Sequence, residues 1–81
     1  MDKKNPTLQT RQIMQNEPFR ESQTLVCVEH VLCSGILRGE RLKIEKLVDK
    51  IILTKSLDRG LEFGLPDPYA RGGRFVLLIE K

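Results

Sequence analysis

Cys27, His30 and Cys33 stand as Cys-x-x-His-x-x-Cys, and all three side chains can bind soft metals such as zinc. A closed zinc site needs four ligands, and the chain holds no other cysteine or histidine. On an extended strand Cys27 and Cys33 project to one face and His30 to the other. The pattern therefore favours buried structural thiols over a metal or redox centre, and no cofactor is expected. His30 is the one imidazole that could act as a general base, but Glu29 and Ser34 are merely its neighbours and match no catalytic spacing. A glycine-rich phosphate loop, paired catalytic carboxylates and a nucleophile elbow are all lacking. The sequence predicts a protein that is not an enzyme.

Two groups of basic residues could meet an anion. Lys43, Lys46 and Lys50 recur at helical spacing and form a stripe able to track phosphates, diluted by Glu45 and Asp49. Tyr69-Ala70-Arg71-Gly72-Gly73-Arg74-Phe75 interleaves arginines with glycines and aromatics, which can stack on bases and contact phosphate. Functional segments of that kind repeat, and this one occurs once. Gly72-Gly73 suits a tight turn equally well. Nucleic-acid binding through Lys43, Lys46, Lys50, Arg71 and Arg74 is thus the alternative reading. The leading one is a small regulator, adaptor or subunit that acts through protein contacts.

Composition is consistent with either. The 81 residues carry a formal net charge of +3, with 40% hydrophobic and 31% charged residues. A chain of this length forms one domain that buries roughly 60–65% of the surface its unfolded state exposes. No apolar stretch approaches the ~20 residues that span a bilayer. Met1-Asp2-Lys3-Lys4 has the charges of a signal peptide without the apolar segment behind them. Two cysteines are few for a small secreted domain. An intracellular, cytoplasmic protein with no membrane partner is expected.

The elements that must position these residues follow from periodicity. Residues 1–21, with Pro6 and Pro18, read as a flexible or short-helical tail, Asn5-Pro6 offering a helix start. Leu8, Ile13 and Met14 are too few apolar residues for an independent helix. They are the candidate partner contacts, together with Tyr69. Residues 24–37 read as a long or bent strand covered on both faces, with a buried helix as competitor. In residues 40–57, Ile44, Leu47, Val48, Ile51 and Ile52 share a helical face, which predicts the main amphipathic helix, closed by Gly60. Leu61, Phe63 and Leu65 alternate as a short strand, residues 67–73 form a loop, and residues 74–80 make a final strand.

The predicted fold is α+β, spanning residues 22–81, with about three strands and one helix in βαβ-β order. One helix covers one sheet face, so the other needs the tail, a second copy or a protein partner. A homodimer or a protein complex is the physical consequence.

Ile36-Leu37-Arg38-Gly39-Glu40, the segment through Ile44, Leu47-Val48-Asp49 and Ile51-Ile52, and Gly60-Leu61-Glu62-Phe63 resemble the strand–glycine–helix–strand half of ACT-like regulatory domains, as in nickel-responsive regulators. The resemblance spans residues 24–66. It implies ligand sensing and oligomerisation through the sheet. No functional residue carries over, because the ribbon-helix-helix segment is missing and one histidine stands where that regulator uses several.

Overall fold

Residues 40–57 are a β-hairpin, not a helix. A computed structural model describes residues 9–30 and 34–79, and its main feature is a six-stranded antiparallel sheet. The strands are β1 (Thr10–Gln12), β2 (Thr24–Cys27), β3 (Arg41–Val48), β4 (Ile51–Ser56), β5 (Glu62–Pro66) and β6 (Phe75–Leu78). The one helix among the described residues, α1, spans Asp67–Ala70. The expected α+β fold of about three strands around a main helix is therefore corrected to a mostly β domain. The βαβ-β order goes with it, since every strand pair is antiparallel. The ACT-like architecture goes too, because it required a helix where β3 and β4 lie.

The hairpin imitates a helix for an identifiable reason. Strand alternation puts Leu42 and Ile44 inward and Lys43 outward. The register then slips between Ile44 and Lys46, a bulge that reverses the phase of the pleat. Beyond it Leu47 pairs with the inward Ile52, and Val48 pairs with Ile51 on the outer face. The turn between them is Asp49-Lys50, with Asp49 at φ 57°, a conformation aspartate tolerates better than most residues. One bulge and one two-residue turn thus space the apolar side chains by threes and fours without a helix. The β-branched content of Ile44, Val48, Ile51, Ile52 and Thr54 favours the pleated form.

Strand order is β1-β6-β2-β3-β4-β5, so β2 to β5 form a meander and β6 returns to pair with β2. Leu25, Cys27, Leu42, Ile44, Ile52, Leu65, Phe75 and Leu77 bury the inner face. Loop and helix residues Phe19, Ile36 and Ala70 complete that cluster, with Ile13, Phe63 and Tyr69 packed at its margin. The core closes over one sheet face without a long helix. The long strand expected over residues 24–37 ends at Cys27, and the described residues of the connection to β3 hold a bend, short turns and a bridge at Ile36. Residues 9–21, expected within the tail, include β1, which pairs with β6 from Thr10↔Leu78 to Gln12↔Val76. No helix among the described residues is long and apolar enough to cross a membrane.

Candidate interaction surface

The outer face of β3, β4 and β5 is built in rows by the register. Lys43, Lys55 and Glu62 form one row, Lys46, Leu53 and Gly64 the next, and Val48, Ile51 and Pro66 the last. Val48, Ile51 and Leu53 are 44%, 39% and 39% exposed. Large apolar side chains that are scattered singly need no explanation, but neighbours on one face mark a contact surface. Glu45, Lys46, Leu53, Thr54, Glu62, Phe63 and Gly64 line a cavity of about 460 Å³.

This surface ends at β5, which pairs with β4 on one side and, among the described residues, with no strand on the other. The amide of Ser56 donates to the carbonyl of Leu61 at 2.7 Å, and that of Asp67 to the carbonyl of Lys50 at 2.8 Å. With the β4–β5 register, Phe63 and Leu65 direct their backbone groups at β4 in the same way. The backbone groups of Glu62 and Gly64 therefore point away from the sheet. Pro66, which has no N–H, falls at the outward position where its loss costs no ladder bond.

The predicted site residues separate. Lys43 and Lys46 lie on the outer face, where Lys43 directly opposes Lys55, and Lys50 sits in the hairpin turn. Arg71 is consumed inside the fold: its guanidinium donates to the carbonyls of Met14 (2.8 Å), Gln15 (3.0 Å) and Glu17 (2.5 Å) and to Asp67 (2.7 Å). It also lies 4.4 Å from the centre of the Phe19 ring. Arg74 covers the Tyr69 ring at 4.9 Å and approaches Glu29 at 3.8 Å. The five basic residues do not form one surface. Of the expected partner contacts, Met14 is exposed and Ile13 is half-buried against the core. Tyr69 is half-buried too, its ring edge-on to Phe75 and its hydroxyl 3.2 Å from Ser34 Oγ. Leu8 lies outside the described residues.

Cys27 is buried, and its thiol donates to the carbonyl of Glu29 at 2.7 Å. Burial pushes its pKa up, which suppresses the reactive thiolate. His30 is exposed, and Cys33 lies outside the described residues. Among the described residues no group of three potential ligands gathers to hold a metal ion.

A cluster invisible to sequence reasoning surrounds Glu40, which is 4% exposed. Arg59 donates to both carboxylate oxygens (Nε 2.7 Å, Nη2 2.6 Å), Ser56 Oγ donates at 2.6 Å, and the Leu37 amide at 2.9 Å. Arg59 also donates to the carbonyl of Gly35, and Ser56 Oγ accepts from the amides of Asp58 and Arg59. Hydrogen bonds from Arg59 hold Glu40 down to about 2, assisted by those from Leu37 and Ser56 against desolvation. Every polar atom of the carboxylate is satisfied from within, so the cluster ties the β2–β3 connection to the β4–β5 turn. It offers no open position to a substrate. No sequence motif could have paired Glu40 with Arg59 across the fold.

Comparison with protein families, with curated proteins and with solved structures finds no match.

Proposed function

We propose that this chain is a small non-enzymatic binding module that acts by contact with a protein partner, through the outer face of β3–β4–β5. The observation that carries this reading is the exposure of Val48, Ile51 and Leu53 side by side, on a face that ends at β5, the last strand of the sheet among the described residues. Neighbouring apolar groups in water gain by being covered, and an unpaired strand offers main-chain bonds to whatever covers them. The nucleophiles and titratable groups nearest the core support the same reading, since Ser56, Cys27 and Glu40 all spend their hydrogen bonds internally.

The test is site-specific photocrosslinking of the full chain in cells. A photoreactive residue replacing Leu53 gives discrete adducts to a protein, and one replacing the exposed Arg38 does not. Equal labelling from both positions, or none from either, overturns the reading. Leu53→Asp, at an exposed outward position, leaves Tm within a few degrees.

A second reading has one observation in its favour. Lys43 and Lys55 stand directly opposite each other, and Glu62, opposite Lys55 in the same row, sets one carboxylate against two lysines, so a bound anion would relieve the pair further. If a polyanion does so, binding of single-stranded RNA falls steeply with salt and is lost in Lys43→Glu. Binding that is insensitive to both removes this alternative.

A further inference from the structure

Each of the three outer rows of β3, β4 and β5 carries complements at its two ends. Lys43 on β3 shares its row with Glu62 on β5, Lys46 with Gly64, and Val48 with Pro66. The β4 residues between the last two pairs are apolar, Leu53 and then Ile51. All of these residues are exposed. The surface is hollow at Gly64, where a Cβ would meet nothing closer than Ile51 Cγ2 at 3.6 Å and Leu53 Cδ2 at 3.7 Å. Those are ordinary contacts, so the fold admits a side chain there. Glycine in a strand interior costs about 0.5–1 kcal/mol relative to alanine, and it often marks a close approach by another group.

We infer that this face seats a second copy of the chain, packed sheet to sheet about a two-fold axis that runs along β4. This names the partner in the protein-contact reading above and rests on it. An axis in that direction keeps each row on its own row and exchanges β3 with β5. Lys43 of each copy then opposes Glu62 of the other, and the stem of Lys46 lies in the other copy's hollow at Gly64. Val48 meets Pro66, while Leu53 and Ile51 each meet their own counterparts at the centre. Such an interface is isologous, each off-axis contact being made twice. Sheets packed in this way keep their strands within about 30° of each other. The axis also brings Lys55 to Lys55, and each of them has Glu62 of its own chain beside it.

The charges select the direction of the axis. A two-fold axis across the strands sets the row of Lys43, Lys55 and Glu62 onto the row of Val48, Ile51 and Pro66. Charged groups are then covered by apolar ones and left without partners, which is costly. The patch is small beside the ~20–30 residues that a stable complex takes from each side, so the dimer dissociates in the micromolar range.

Sedimentation velocity of the full chain across that range is expected to show a monomer–dimer equilibrium. Lys43→Glu is expected to weaken it at least ~tenfold, because like charges then face each other. The variant monomer stays folded, since its new carboxylate stands opposite Lys55. Glu62→Lys is expected to weaken association from the other side. An equimolar mixture of the two variants is expected to regain the parent's affinity as a one-to-one heterodimer, each supplying the charge the other lacks. Leu53→Asp is expected to leave a monomer. The inference is overturned if the parent stays monomeric, if its dimer is indifferent to Lys43→Glu, or if the mixed variants fail to associate. Crosslinks from position 53 to another protein, with the free chain monomeric, leave the protein-contact reading standing and remove only the second copy as partner. Absence of any crosslink from that position removes the reading itself.

Discussion

Arg71→Ala releases residues 13–19 from the sheet and lowers stability by about 3 kcal/mol, the scale of losing several charge-assisted hydrogen bonds together with the cover over Phe19. For a domain of this size that is a fall of roughly 12–24 °C in Tm. The guanidinium holds the carbonyls of Met14, Gln15 and Glu17 on one side and Asp67 on the other, so it fastens the approach to β2 onto α1. Phe19, buried beneath it, loses its cover in the same step. Hydrogen exchange locates the effect: amides of β1 lose protection first, while those of β3 and β4 keep theirs. Arg71→Lys fails to restore stability, because one ammonium cannot reach acceptors spread over that fork. Lysine performing as well as arginine would show that charge alone matters and that the carbonyl contacts do not.

Glu40→Ala is expected to cost about 2–4 kcal/mol, since it leaves the Ser56 hydroxyl and the Leu37 amide without their acceptor in a buried place. Its thermal denaturation shows the loss directly, and Glu40→Gln recovers only part of it. The same carboxylate gives the parent chain an acid limit. Its folded pKa is near 2 and its ordinary value is 4.5, so below pH 4.5 the unfolded chain takes up the proton more readily than the folded one. Stability from this group is complete above pH 4.5 and drains away as pH falls towards 2. Glu17 acts in the same direction, held near 2 by hydrogen bonds from Arg11 and the Met14 amide. Urea midpoints taken from pH 7 down to pH 2 are expected to drop across that window, and less steeply in Glu40→Ala. An unchanged slope in the variant would mean that Glu40 is not the group being titrated.

Part of the architecture was legible residue by residue. Leu61, Phe63 and Leu65 alternate with small or charged neighbours, and β5 lies there. The run from Phe75 forms β6, with Phe75 and Leu77 buried and Val76 and Leu78 half-buried. Gly73, at φ 86°, makes the turn into β6 that its sequence invites. The hairpin was hidden because apolar spacing reports helix or strand only while the phase is regular, and the bulge beside Glu45 breaks it. The β-branched residues and Asp49 were the signals pointing the other way. The candidate site was hardly legible at all. Lys43 and Lys46 were singled out as basic, but the row joining Lys46 to Leu53 and Gly64 exists only through pairing with β4 and β5.

Local sequence by itself determined that β5 and β6 are extended, that a glycine turn precedes β6, and that the chain carries a modest positive charge. These follow from backbone sterics and side-chain chemistry within a few residues. Tertiary structure alone decided that Arg71 holds the carbonyls of Met14, Gln15 and Glu17, that Glu40 meets Arg59, and that Gly64 shares a row with Lys46 and Leu53. Each depends on residues brought together from distant parts of the chain, and burial changes what a charge or a missing side chain is worth.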